Sequence, residues 1–370
     1  MTQKEIDRAF SLDRVEKKQI SLKHAAIEMQ ISYPQAKRLM ARYKKEGRKG
    51  LISKKRGQKS NRAVSTIERI RIAKIITEHY HGCKPLYVSE KLKNLHGVEY
   101  SSEFIRQLMT EFHLWFPRKM KCKTHPRRPR RNSKGELLQT DASVHDWFEG
   151  RRPHAYLHVY VDDATSEIVG GHFSEEETTE GYYRALLPIL EQKGRPIHIY
   201  TDKRGTFVVN KGKNGKTQFA RAMEELGIGM ITAHSPQAKG RIERTFGTLQ
   251  DRLVWEMRLN HICTIEEANS FLPKFIEEYN NKYAKEPASS IDAYRPLNQR
   301  VPLKYILCAK EKRMVSKNLE VQYRNKTYQL MPTKGVSLCI KNAEVMVITT
   351  LEGELAFEFR GKRIDYVNYA

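Results

Sequence analysis

The chain has 370 residues, 39% of them hydrophobic, and a formal net charge of +24. That length exceeds one typical domain. It contains no apolar run near the ~20 residues that a membrane helix requires, and the polar start MTQKEIDRAF does not read as a secretory leader, so a cytoplasmic protein without a membrane partner is expected. Residues 1–134 hold 34 of the 67 Lys and Arg but 12 of the 43 Asp and Glu, and so carry +22 of the +24. The asymmetry implies a front half that binds a polyanion, with nucleic acid the leading partner, and a charge-balanced rear half.

At the N-terminus Leu12, Val15 and Ile20, then Leu22, Ala25, Ala26 and Met29, recur at helical spacing. Ser21 is placed to cap the second helix, and Ser32 with Gln35 reads as a capping box for a third, with Pro34 tolerated in its first turn. The third helix carries Gln35, Lys37, Arg38 and Arg42 outward and Ala36, Leu39, Met40 and Tyr43 inward. The pattern is that of a helix-turn-helix over residues 1–50, whose last helix reads a major groove. A three-helix bundle with a solvated basic face is the alternative. The basic linker 51–62 follows, with Lys55, Arg56, Lys59 and Arg62 suited to a narrow minor groove or to a plain solvated connection.

Helices around Ser65–Tyr80 and Leu86–Leu95, and one from Ser101 with Phe104, Ile105, Leu108 and Met109 inward, suggest a second helix-turn-helix over 63–116, with Arg106 on its DNA side. A second basic linker spans 117–135. Its stretch from Arg118 to Lys134 holds nine Lys or Arg, among them Arg127, Arg128, Arg130 and Arg131, and no acid, while its prolines prevent helix. The five cysteines, Cys83, Cys122, Cys263, Cys308 and Cys339, show no C-x-x-C spacing, which argues against a zinc site or a disulfide framework.

Beyond the linker the texture changes to apolar strands at Leu137–Asp141, Tyr156–Asp163 and Ile168–Phe173, closely spaced as in an antiparallel meander. Helix Thr178–Glu191, strand Ile197–Thr201, helix Gln218–Leu226, strand Ile228–Thr232 and a long amphipathic helix from about Ala238 to Leu259 complete a mixed five-stranded α/β sheet. Another helix covers Ile265–Tyr283. Short strands such as Leu319–Tyr323, Val345–Ile348 and Ala356–Phe359 then predict a small β-barrel in a C-terminal domain of residues 291–370.

Asp141 is expected to end the first strand and Asp202 the fourth, where an open α/β sheet forms a crevice at its strand ends. A third acid, Glu243, lies in Ser235-Pro236-Gln237-Ala238-Lys239-Gly240-Arg241-Ile242-Glu243 at the start of a helix whose dipole favours an anionic ligand. This stretch resembles the glutamate motif S-P-Q-x-x-G-x-x-E of the retroviral-integrase and transposase superfamily. With Thr140-Asp141 and Thr201-Asp202 it resembles a DDE triad, and the N-terminal helical units are similar to those of bacterial insertion-sequence transposases. The stretch from Asp141 to Gly150 resembles the ISNCY group among them. The 40 residues between Asp202 and Glu243 exceed the usual family spacing, and the polar Asn210–Lys216 reads as a surface hairpin inserted there. The zinc-binding N-terminal domain of retroviral integrases is absent, and the helix-turn-helix pair takes its place.

The resemblance implies an RNase H-like catalytic core over residues 136–290 in a multidomain chain. It implies two Mg²⁺ ions, for which Mn²⁺ can substitute, held by Asp141, Asp202 and Glu243. It further implies a Mg-dependent polynucleotidyl transferase that binds element ends and target as double-stranded DNA in the nucleoid, hydrolyses the 3′-end phosphodiester and joins the 3′-OH to target. At least a homodimer on paired ends follows from bridging two ends. Lys239, Arg241 and Arg244 are expected to meet phosphates, ordinary helix-surface charge being the alternative. Asp163 is expected to fix the Ala164-Thr165-Ser166 turn, Glu175 to Glu177 to be a solvated helix start, Trp147 to be core, and His145 and His234 to be structural or to position DNA or water. Two further readings stay open: a transposase-derived DNA-binding regulator without catalysis, against which the intact acids argue, and a structure-selective RNase H-like nuclease.

Overall fold

The computed structural model describes residues 1–54, 56–57, 63–117, 128–208, 215–232, 240–297, 302–331 and 340–369. Lys55, Lys59, Arg62, Arg127, His234, Lys239, Cys122, Cys339, the Ser235-Pro236-Gln237 run and most of the Asn210–Lys216 stretch lie outside the described residues. The chain divides into two compact units, Met1–His81 and Gly82–Ala370. That division falls inside the 63–116 segment read above as one helical unit. Among the described residues, no helix is long and apolar enough to cross a membrane.

The first unit is helical: α1 (Gln3–Glu16), α2 (Leu22–Glu28), α3 (Tyr33–Glu46) and α4 (Thr66–His79). Ser21 caps α2 through His24 N, and Ser65 caps α4 through Glu68 N. Ser32 stands at the N-cap of α3 with extended backbone, but its hydroxyl makes no capping bond, so the expected capping box does not form. Leu12, Leu39, Met40, Tyr43 and Leu51 form the core of α1–α3. Buried Glu5 pairs with Arg56 at 3.0 Å, which folds the chain after α3 back onto α1.

The second unit opens with α5 (Pro85–His96) and α6 (Ser102–Glu111), whose Val88, Leu92, Ile105, Leu108 and Met109 are buried. Five strands then form a sheet in the order β3-β2-β1-β4-β5: β1 (Leu137–His145), β2 (Ala155–Asp162), β3 (Ile168–Ser174), β4 (His198–Thr201) and β5 (Gly229–Thr232). The first three pair antiparallel and the last two join in parallel, so the expected mixed sheet is present. Helices α7 (Thr179–Gln192) and α8 (Gln218–Glu225) pack on one face with Leu138, Tyr160 and Ile199. On the other face, α9 (Gly240–Leu259) and α10 (Ile265–Tyr283) cover Leu157, Val159 and Val161. Gly170 permits the close approach of α7 to β3, since a Cβ there would lie 2.3 Å from Ala185 O. Trp147 is fully buried in the α9–α10 layer, with its ring nitrogen donating to Ser143 O.

Charged side chains tie α5 to the back of this core. Lys91 pairs with Glu256 at 2.6 Å, Tyr87 donates to the same carboxylate, and Glu90 accepts from Arg252 and Lys282. Burial works against the Glu90 carboxylate, but the hydrogen bonds from Arg252 and Lys282 outweigh it and hold its pKa below the usual value.

The C-terminal part is a six-stranded antiparallel sheet, β6 (Ala309–Met314), β7 (Glu320–Tyr323), β8 (Lys326–Met331), β9 (Glu344–Thr349), β10 (Leu355–Phe359) and β11 (Lys362–Tyr369), in the order β6-β9-β10-β11-β8-β7. It curls around Val321, Leu330, Val347, Phe357 and Ile364. Tyr323 on one edge strand hydrogen-bonds Glu311 on the other and Thr349 on β9, which nearly closes the barrel.

Candidate functional site

Register builds the centre of the site. In the parallel pair β1–β4, the last paired residues are Gln139 and Tyr200; Asp141 and Asp202 each follow two residues later, past the end of that pairing, and the charges of both act on Arg204. Asp141 does not end its strand, contrary to the sequence reading. The strand β1 continues to His145 as an antiparallel partner of β2, whereas its pairing with β4 stops at Gln139. The aspartate therefore stands in mid-strand but just past the end of the shorter neighbour, at the opening of the sheet. Both residues are half-buried and accessible.

The helix carrying Glu243 runs alongside β1. Near its start Arg241 donates to Asp163, which also accepts from Gln139 of β1; at its middle Gln250 donates to Ser143 Oγ at 3.2 Å. Nine helical residues at 1.5 Å and four strand residues at 3.3 Å both span about 13 Å, so helix and strand advance together. Glu243 lies between those two contacts, seven residues and two turns before Gln250 and so on the same side of the helix. Its side chain is exposed. Among the described residues, no three His, Cys, Asp or Glu side chains gather closely enough to hold a metal ion. The donor chemistry nevertheless suits a hard divalent cation, being carboxylate oxygen throughout.

Beside the aspartates lie residues that the sequence reading passed over. Arg204 donates its backbone N–H to Asp202 Oδ1 at 3.0 Å and its Nη1 to Glu177, and its Nε forms an ion pair with Asp202 Oδ2 at 3.0 Å. Burial opposes the Arg204 charge, but the hydrogen bond and charge of Glu177, then the charges of Asp202 and Asp141, raise its pKa. None of the three glutamates is in a helix start: Glu175 and Glu176 are exposed in the bend before α7, whereas the Glu177 side chain is 18% exposed and accepts from the buried Tyr182 hydroxyl at 2.9 Å. Burial first, then the charges of Glu177 and Asp141, push the Tyr182 phenol far up. The signal available in the sequence was the cap Thr178 with Tyr182 one turn on, which places Glu177 directly before the helix.

Asp163 has a different role from the one expected. The turn is held by Asp162, which accepts from Ala164 N and Thr165 N. Asp163, fully buried, accepts from Arg128, Gln139, Arg241 and Arg131 N. The Arg241 side chain is 9% exposed and turned inward rather than toward solvent. Arg130 donates to Asp163 O and Ala164 O, and Arg131 pairs with Glu136 at 3.3 Å. Arg244 bonds Gly240 O from an exposed position. In the helical region Gln35, Lys37 and Arg38 are exposed on α3, Arg42 donates to Ile52 O, and Arg106 pairs with Glu103 at 2.6 Å. His145 is half-buried against Trp147, and burial lowers its pKa. Cys83 and Cys308 are buried free thiols and Cys263 an exposed one.

No family model matches the chain. Among solved structures it is similar to the HTLV-2 integrase catalytic core domain in complex with magnesium, with TM-score 0.30 and 20% identity, over 37% of this chain and 82% of that one. A chain of the simian T-cell lymphotropic virus intasome aligns with TM-score 0.35 and 16% identity, over 80% of this chain and 98% of that one. Sequence similarity is far closer. The putative transposase y4bF of Sinorhizobium fredii is 35% identical over 371 residues, 99% of this chain and 81% of that protein. The transposase for insertion sequence IS1202 of Streptococcus pneumoniae is 30% identical over 92% of this chain and 81% of that protein. The chain belongs to the insertion-sequence transposase family.

Proposed function

We propose that the chain is a DNA strand transferase whose Asp141, Asp202 and Glu243 hold two Mg²⁺ ions, with Mn²⁺ an acceptable substitute. The observation that carries this reading is that Asp141 and Asp202 each lie two residues past the last β1–β4 pair, at the mouth of the sheet and beside the helix that bears Glu243, in a chain similar to transposases over nearly its whole length. Bound divalent cations would supply activation of an attacking oxygen and stabilisation of a leaving oxygen. The residues orient them: Asp141 from the longer strand, Asp202 from the shorter, Glu243 from the exposed side of α9. Hydrolysis at the 3′ end of the element frees a 3′-OH; that hydroxyl then attacks a target phosphorus, forming a new P–O bond as the target strand's 3′-oxygen leaves, so no protein nucleophile takes part.

Recognition of the ends falls to the basic front half. The helix pair α2–α3 reads as a helix-turn-helix with Gln35, Lys37 and Arg38 facing a major groove, and α5–α6 as a second reading unit with Arg106. Arg244, Lys239, Arg127 and the basic linker 51–62 contact phosphate. Two copies on paired ends are the smallest assembly that brings both ends together.

The test is incubation of the purified chain with Mg²⁺ and labelled duplex from the ends of its own element, with the product strands sized. A shortened end strand and a longer joined strand are the expected products. Binding without either product would leave a DNA-binding regulator; cleavage of any duplex without joining would leave a nuclease.

A further inference from the structure

Asp141 and Asp202 stand near enough for both charges to act on one guanidinium, and two such carboxylates repel one another unless a cation lies between them or beside them. In this chain a guanidinium takes that place. Arg204 grips Asp202 through both its backbone N–H and its Nε, at 3.0 Å each, and extends its Nη1 to Glu177. Glu177 is in turn fixed from behind by the Tyr182 hydroxyl at 2.9 Å, on a ring that is itself fully buried. The guanidinium is thus shared between one carboxylate at the sheet mouth and a second, anchored carboxylate away from it. About half of the Arg204 side chain is exposed, which leaves room for movement.

We infer that Arg204 is a resident counter-ion of the Asp141–Asp202 pair, and that a divalent cation must displace its side chain from Asp202 toward Glu177 in order to bind. The inference rests on the reading of those aspartates as cation ligands. The position beside Asp202 is held by a monovalent, planar group. Glu177 acts as a positioning residue, giving the arginine a second partner and so lowering its hold on Asp202. The backbone N–H bond from Arg204 to Asp202 is independent of the side chain and persists in any substitution.

The test is cation affinity of the full-length protein without DNA, with Mn²⁺ as the probe and the free ion followed by electron paramagnetic resonance. Removal of a unit positive charge a few Å from a divalent cation is worth at least about tenfold in affinity even at the dielectric of bulk water, and more at a half-buried site. Arg204→Gln, with Arg204→Met as a second neutral variant, should therefore tighten binding at least about tenfold, and Arg204→Lys should stay within about twofold of wild type. Glu177→Gln should weaken binding, and by less in the Arg204→Gln background, since part of its effect passes through the arginine. Asp202→Asn should abolish binding at the site. Unchanged or weaker binding by both neutral variants, with Asp202→Asn still abolishing it, would overturn the inference and leave the aspartate site standing. Wild-type protein that binds no Mn²⁺ at all would overturn both.

Discussion

Glu243→Gln is expected to lower the rate of strand cleavage by about 10²-fold or more, with DNA binding intact. The substitution keeps the shape of the side chain and removes its charge. Glu243 is exposed on α9, and its neighbours Ile242, Thr245 and Phe246 hold the helix on the sheet. A surface change of that kind costs within about 0.5 kcal/mol of stability, so a rate loss of that depth would belong to chemistry and not to folding. Binding should be equal or slightly tighter, because a negative charge beside phosphate is gone. Single-turnover cleavage of labelled end DNA, beside a gel-shift titration, measures both. Cleavage at near wild-type rate with normal binding would remove Glu243 from the reaction.

Asp163→Asn should have the largest effect on stability. The carboxylate is fully buried and accepts from Arg128, Arg241, Gln139 and Arg131 N. Burial, with Arg128 and Arg130 nearby, works against the Arg241 charge, which Asp163 supports. Removing one partner of a buried ion pair leaves the other uncompensated and costs about 3–5 kcal/mol. For a domain of ~150–250 residues each kcal/mol moves the melting midpoint by about 2–4 °C, so the part of the chain built on the five-stranded sheet should melt roughly 10 °C lower. Thermal unfolding followed by circular dichroism reads this directly. A midpoint within about 2 °C of wild type would mean that water, and not Asp163, solvates the arginines.

These two residues also mark how far the sequence could be read. Elements bounded by local chemistry were legible. The helix Ile265–Tyr283 begins at Thr264 with Glu267 closing a capping box, and both residues announce it. The five-stranded sheet was legible from the closely spaced apolar runs followed by helix–strand alternation. Asp141, Asp202 and Glu243 stand out as candidates because each lies in a short local motif. The length of β1 was not, because Ala142–His145 is a polar continuation whose pairing with β2 depends on residues a dozen positions away. Nor was the role of Asp163, whose partners Arg128 and Arg241 stand 35 and 78 residues away. A run of basic residues looks the same whether its guanidinium groups turn to solvent or to a buried acid. Glu177 was hidden by its neighbours: three successive glutamates read alike, and what separates the third is an arginine 27 residues on.

The claim that Asp202 acts by holding a divalent cation is tested most directly by Asp202→Cys, assayed with Mg²⁺ and with Mn²⁺ in parallel. A thiolate is a soft ligand, poorly matched to Mg²⁺ and better matched to the softer Mn²⁺. The account predicts that the Cys variant cleaves end DNA at least about 10²-fold more slowly than wild type with Mg²⁺ and recovers much of that loss with Mn²⁺, while wild type cleaves with both. Cleavage by the Cys variant at wild-type rate with Mg²⁺, or a loss of equal depth with both ions, would contradict it.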